Sequence, residues 1–311
     1  MDGFLSMILS FHPNIVAHRN ILCAGRPPND EDVAAISQAQ AVILPQGCSQ
    51  ALYRMSRKNC QHVFPNYDAR FDFPGKIGQT RFFQKMQAPF PPTYAFETAA
   101  DYDRQFGNRA DQSLPKKTDS PSASTEEANI AVGQTGEGPF GFPCVFKPDW
   151  GGEGEGVFLV KTPQALEKVL KKARRAEQSG QKGFLLQQYI PSRERSLRVA
   201  VIGDCFFSYW RIQKDPSEFL TSLKAGAVID HGTDPVVQEE GKSVVKAFCA
   251  RTGINLAGFD VIFSEDEKKP KPLLLEINYF FGRRGLGGSL RYYELIDQAV
   301  RVWIGGLGLS L

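Results

Sequence analysis

The sequence predicts an α+β protein in which a small α/β unit precedes a larger, strand-rich portion. Three observations carry this. Over residues 20–70 short apolar runs alternate with helix-like stretches, and strands separated by helices favour a parallel sheet because each crossover needs a covering helix. Beyond residue 139 strand-like runs outnumber helical ones, as mixed sheets require. The 311 residues, 42% hydrophobic and 23% charged, have the composition of a globular chain of one large domain or two smaller ones.

The opening MDGFLSMILSFHPN holds a short apolar patch between Asp2 and His12 without a basic flank, and no run of about 18 apolar residues follows. Neither a signal peptide nor a membrane span is expected, and a cytoplasmic location follows by default. The first strand candidate is Ile21 to Ala24, and Asp30 opens a helix. AVILPQ at 41–46 and HVFPN at 62–66 flank a second helical stretch. No GxGxxG occurs in this unit, so a dinucleotide site is unsupported.

In GKIGQTRFFQKMQAPFPPTY, Phe82, Phe83 and Met86 share a helical face and Lys76 sits at the helix start. Pro91-Pro92 ends that helix before a strand led by Thr93 and Tyr94. Residues 108–139 then become polar and poor in large apolar side chains, the composition of a mobile surface insertion that splits a domain without ending it.

After it, FPCVFKP reads as a strand, GGEGEG as a loop and VFLVK as a second strand. Thr162 and Pro163 are the N-cap and N1 of a helix ending near Gly180. GFLLQQYI, SLRVAVIGD, FFSYWRIQ, GFDVIFS and PLLLEIN are further strands. LRYYELIDQAVRVWI is a closing amphipathic helix with Ser289 as N-cap and Tyr292, Leu295, Ala299 and Trp303 in the core.

Lys plus Arg total 37 against 34 for Asp plus Glu. That surplus, with no basic stripe carrying interleaved aromatics, argues against nucleic-acid binding, so an anionic ligand needs a local cluster. The six cysteines are scattered without a CxxC pair, which suits free thiols rather than zinc, and the four histidines show no partner spacing. None is assigned a catalytic role.

Three constellations carry chemistry. Lys147 precedes Gly151, Gly152, Gly154 and Gly156, a loop whose amides can face phosphate oxygens; taken alone it is equally compatible with a hairpin tip. Asp260 lies in GFDVIF, and Glu276 and Asn278 in LLLEIN share one strand face while Leu275 and Ile277 point the other way. Hard oxygen donors from adjacent strands suit Mg²⁺. Arg283 and Arg284, in a glycine-flanked loop directly after Asn278, can clamp a carboxylate or phosphate. Lys171, Lys172, Arg174 and Arg175 are read as a solvated helix face.

These parts, in their order and spacing, resemble an ATP-grasp protein of the glutathione synthetase and ribosomal-protein glutamate ligase branch. The resemblance covers residues 74–311 and makes residues 1–73 a shortened preceding α/β domain. It implies that Lys76 and Lys147 are the phosphate lysines and that the 151–156 loop is the flexible lid. Gln187, Gln188, Tyr189 and Ile190 would be the hinge whose backbone reads adenine. Asp260, Glu276 and Asn278 resemble the magnesium triad, and Arg198 and Arg211 the basic residues facing the acyl acceptor or phosphate; Arg211, with Arg283 or Arg198, would stabilise the tetrahedral oxyanion.

The implied activity is ATP-dependent carboxylate–amine ligation through an acylphosphate, releasing ADP and phosphate. The implied cofactors are ATP and two Mg²⁺ ions, with Mn²⁺ as a substitute. The implied partners are a small-molecule or peptide carboxylate and an amine, and short relatives commonly form homodimers. Three departures stand out: Gln188 and Ser196 where relatives carry acids, and SLKAGA at 222–227 in place of an Asn-containing segment. A kinase using the same ATP site and a nucleotide-binding regulator without turnover are the alternatives.

Overall fold

The computed structural model describes residues 7–23, 25–107, 139–152, 154–264 and 270–311. Except for Pro139, the insertion expected at 108–139 lies outside the described residues, as do Asp2 and Ala24. Contacts group the chain into two units: Met1–Pro74, Phe82–Phe90 and Pro191–Leu311 form the first, and Gly75–Arg81 with Pro91–Ile190 the second.

The first unit begins with β1 (Ile8–Ser10), β2 (Arg19–Asn20), α1 (Asp30–Gln38), β3 (Ala41–Ile43), α2 (Gln50–Asn59), β4 (His62–Phe64) and α3 (Asp68–Asp72). Its four strands pair in parallel in the order β2-β1-β3-β4, the parallel sheet the alternating pattern predicts. The first strand is not where the sequence places it. Ile8 and Leu9 are fully buried and form the inner strand, whereas the chain pairs at Arg19–Asn20 and leaves the sheet before Leu22, which is 65% exposed. A capping box between Asn29 and Asp32 starts α1, and Arg26 grips Asp32 through two hydrogen bonds of 2.6 and 2.8 Å.

The second unit contains the opening of α4 (Gly75–Lys85), then β5 (Thr93–Phe96), α5 (Ala99–Phe106), β6 (Cys144–Pro148), β7 (Phe158–Val160), α6 (Pro163–Gln178) and β8 (Phe184–Gln188). Its strands are antiparallel in the order β5-β8-β6-β7. Phe96, Phe146 and Phe184 stack in its core beside Leu166, Val169 and Leu170 of α6. Thr162 caps α6 by accepting from Ala165 N at 3.1 Å, with Pro163 at N1, as the sequence predicts.

The first unit resumes with β9 (Arg195–Ile202), β10 (Cys205–Ile212), β11 (Val228–Asp230), α7 (Pro235–Thr252), β12 (Leu256–Phe263), β13 (Pro272–Asn278) and α8 (Ser289–Gly306). These strands form an antiparallel sheet ordered β11-β10-β9-β12-β13. Ser289 is the first helical residue of α8 and not its cap; Gly288, at φ +94°, is the N-cap and makes no side-chain cap bond. Tyr292 and Leu295 are buried, with Ala299 and Trp303 packed against the same core. Among the described residues no helix is long and apolar enough to cross a membrane.

Candidate active site

Register across the second sheet of the first unit builds the site. Tyr209 on β10 lies opposite Arg198 on β9, Arg198 opposite Asp260 on β12, and Asp260 opposite Glu276 on β13. Directly opposed residues share a face, so these four side chains form one row across four strands. Asn278 stands one step along that face, opposite Gly258. A Cβ on Gly258 would sit 2.8 Å from Arg198 Nη1 and 2.9 Å from the Phe281 Cβ, so glycine is what lets the guanidinium and the following loop close over the strand. Ile277 is buried as expected, but Leu275 is the extra residue of a bulge at Asp260/Val261, and the buried neighbour is Leu274. The bulge keeps Glu276 and Asn278 aligned with Asp260.

The charges in this row compensate one another. Asp260 is 6% exposed, and its Oδ1 accepts from Arg198 Nε at 2.6 Å and pairs with Arg211 Nη2 at 2.8 Å. Asn278 Nδ2 donates to Oδ2 at 3.2 Å. Burial pushes the Asp260 carboxyl up, but the Arg198 and Arg211 charges and hydrogen bonds outweigh it and hold the group below its ordinary 3.8. Arg211 Nη2 also donates to Ser196 Oγ at 3.0 Å, which accepts from Thr221 Oγ1 at 2.7 Å. Ser196, at the position that departs from the family pattern, thus anchors the arginine. Among the described residues Arg211 Nε is buried without a hydrogen-bond partner.

This donor set fits Mg²⁺. Asp260 is anionic, Glu276 faces it directly, and the Asn278 amide oxygen adds a hard neutral donor. Among the described residues no three His, Cys, Asp or Glu side chains converge as a metal cage. Two carboxylates and one amide leave room for phosphate and water oxygens, the manner in which Mg²⁺ is usually held.

In the second unit, Lys76 lies in the first turn of α4 and its Nζ donates to the carbonyls of Trp150 and Gly151 at 3.5 and 3.2 Å. Lys147 is half-buried on β6. Gly151, Gly154 and Gly156 have φ of +76°, +85° and +71°, a left-handed backbone that side chains disfavour; Gly152 does not share it. Glu155 N and Val157 N close turns onto Gly152 O and Gly154 O. Sequence reasoning misses Asp149, whose carboxylate accepts from Ile77 N at 2.7 Å and caps α4, a task that Pro74 at the N-cap has no side-chain donor or acceptor to perform. In the expected hinge, Gln187 is buried and donates to Thr93 Oγ1 at 2.8 Å. Gln188 is exposed with its N–H on Pro92 O, and Tyr189 and Ile190 are half-buried.

Arg283 stands apart from the row, its guanidinium lying 4.5 and 4.6 Å from the ring centroids of Tyr292 and Tyr293. Next to it is His12, which the sequence leaves without a role. His12 is 5% exposed, its Nδ1 accepts from Asn14 N at 3.1 Å, and its ring meets Tyr293 edge-on at 6.0 Å. Burial, and then the Arg283 charge, lower its pKa from 6.5 to about 4. As pH falls through that window the unfolded chain binds a proton that the folded chain refuses. Stability should therefore drop by about 1.4 kcal/mol per pH unit between about 6.5 and about 4. Urea midpoints measured across this range should lose that increment in His12→Gln; an unchanged slope would remove His12 as its source.

A cavity of about 600 Å³ in the first unit is lined by Phe206, Ser208, His231, Gln238, Lys242 and Leu286, among others. Gln238 is fully engaged with Ser208, His231 O and Thr233 O, and Lys242 pairs with Glu239, so these wall groups are satisfied internally.

Residues 111–292 match the family described as the RimK-like ATP-grasp domain. A probable alpha-L-glutamate ligase of Pseudomonas aeruginosa is 26% identical over 286 residues, 90% of this chain and 88% of that protein. Probable alpha-L-glutamate ligase 1 of Shewanella frigidimarina is 32% identical over 151 residues, 47% of this chain, and there the match spans 45%, about half, of the relative's length. The crystal structure of a RimK domain ATP-grasp protein from Sphaerobacter thermophilus superposes with a TM-score of 0.57 at 15% identity, covering 94% of this chain and 98% of that one. The fold is ATP-grasp.

Proposed function

Because the chain belongs to the RimK-like ATP-grasp family, we propose that it is an ATP-dependent carboxylate–amine ligase. The observation that carries this reading is the row Arg198–Asp260–Glu276 with Arg211 and Asn278 beside it, in which Arg198, Arg211 and Asp260 are buried. Opposed carboxylates and two buried guanidinium groups are a poor way to stabilise a sheet, and such clusters concentrate where chemistry needs them.

In this reading residues 1–73 are the shortened preceding domain and 74–311 the ATP-grasp portion, with its hinge near 187–190. Lys76, Lys147 and the 151–156 loop bind phosphate oxygens, and the backbone of Gln187, Gln188, Tyr189 and Ile190 meets adenine. Asp260, Glu276 and Asn278 hold Mg²⁺, which when bound offsets charge on the transferring phosphoryl group. That group passes to a substrate carboxylate, giving an acylphosphate and ADP. An amine then attacks, and phosphate leaves. Arg211, whose Nε is an unused buried donor, faces the tetrahedral oxyanion with Arg198 beside it. The glycine loop keeps water from the acylphosphate.

The test is release of ADP and orthophosphate from Mg-ATP across a panel of carboxylates and amines, beginning with L-glutamate, which the relatives' names suggest. Orthophosphate that depends on the amine supports ligation. ADP without orthophosphate would point to a kinase, and ATP binding with no ADP under any pair would leave a regulator.

A further inference from the structure

The outer edge of β10 is paired along only part of its length. Cys205 lies opposite Ile202 across the two-residue turn Gly203-Asp204. Such a turn closes on a hydrogen-bonded pair, so Cys205, Phe207 and Tyr209 bond β9, while Phe206, Ser208, Trp210 and Ile212 turn their N–H and C=O groups the other way. β11 meets only the end of that edge, opposite Trp210, Arg211 and Ile212. Among the described residues no backbone partner reaches the outward groups of Phe206 and Ser208.

Those groups open into the cavity that Phe206, Phe207 and Ser208 line, between α7 and α8, and its two walls differ. Ser208 Oγ donates to Gln238 Oε1 at 2.8 Å, so α7 covers the Ser208 face. The cation on that wall is Lys242, whose side chain is 25% exposed against 68% for its partner Glu239, making the lysine the inner member of the pair. On the other side Gly285 lies against Tyr209, where a Cβ would stand 2.1 Å from Cζ. Residues 285–287 and α8 therefore cover the Tyr209 face, to which Phe207 also belongs, and Leu286 and Leu295 make that wall apolar. An open edge invites sheet-to-sheet aggregation, but one recessed between two helices shuts out a second sheet and leaves room for a single strand.

We infer that this groove binds an extended polypeptide segment that adds to β10 as an edge strand, with acidic side chains alternating with apolar ones. The outward groups of Phe206 and Ser208 match about four residues of such a partner, about 13 Å of strand. Because successive side chains of a strand point to opposite faces, the acidic ones meet Lys242 and the apolar ones Leu286 and Leu295. The groove is separate from the reacting groups, so its occupancy is read without turnover.

The full chain is titrated with a short fluorescent peptide of alternating glutamate and leucine, followed by anisotropy. We expect saturable binding, with slowed hydrogen exchange at the Phe206 and Ser208 amides. Alternate amides of an added strand face the edge, so N-methylation at one of the two residue types should weaken binding about 10-fold or more and at the other should not. Ser208→Pro removes an outward N–H without touching the β9 ladder, a place where an edge strand tolerates proline, and should abolish binding. Lys242→Glu lies outside the ladder and tests the groove even if Ser208→Pro fails to fold; it should weaken binding about 10-fold or more. No binding of the glutamate peptide, N-methylation without a preferred residue type, or binding unchanged in Lys242→Glu overturns the site. Equal binding of a lysine–leucine counterpart overturns the acidic occupant, and a dimer in sedimentation that Ser208→Pro dissolves would give the edge to a second copy instead.

Discussion

Glu276→Gln is expected to lower ADP formation by about 10²- to 10³-fold while the chain remains folded. Glu276 is half-buried and lies directly across β12–β13 from Asp260. Like charges opposed on neighbouring strands repel, so removing one of them relieves the sheet. Gln has the same length and keeps one oxygen, so packing against the bulge survives. Glu276 helps to balance the Arg198 charge, but Asp260 does so more strongly and with a hydrogen bond of 2.6 Å. Activity and stability should therefore separate: steady-state ADP release at saturating ATP collapses, while the thermal midpoint stays within a few degrees. A raised magnesium requirement should accompany the loss. Full activity in Glu276→Gln would take this side chain out of the mechanism, and a collapsed midpoint would make its role structural.

The legible part of this site was the part with local periodicity. Glu276 and Asn278 could be placed on one face because strand alternation has a period of two. That Asp260, Arg198 and Tyr209 complete the same row depends on non-local register, which no single segment encodes. Ile8–Ser10 was hidden for a related reason: a short fully buried strand has no alternation, so MILSF reads as an apolar patch. The sequence reading has no helix at Pro235–Thr252, although its signals are present. Pro235 is at N1, Gly253 closes the end, and Val237, Val244, Phe248 and Cys249 recur at helical spacing. Gly241 interrupts that pattern, and the fold uses it to bring α7 against Leu197, where a Cβ would stand 2.5 Å from Cδ2. Arg283 could be singled out from its glycine-flanked loop, but that His12 packs near it was beyond reach, because the meeting is created by packing of segments 271 positions apart and a lone histidine carries no spacing to read.

Asp260→Asn should destabilise the protein by about 3–5 kcal/mol, because it leaves Arg198 and Arg211, 7% and 9% exposed, facing a neutral amide. The loss should appear as a lower urea midpoint with an unchanged slope. Its pH dependence has a definite sign. The folded-state pKa of Asp260 lies below the ordinary 3.8, so its contribution is complete above that value and disappears as pH falls through the folded-state value. In Asp260→Asn that acid-side decline should be missing. A second variant tells structure from function: replacing the trio together, Asp260→Leu with Arg198→Met and Arg211→Met, removes the charges as well as their compensation. Buried ion clusters exchanged for apolar groups of similar volume are often neutral or stabilising. The triple variant should therefore regain much of the stability that Asp260→Asn loses while forming no ADP. Were it as unstable as the single variant, the cluster would be a structural necessity of the sheet, and its charges would no longer argue for catalysis.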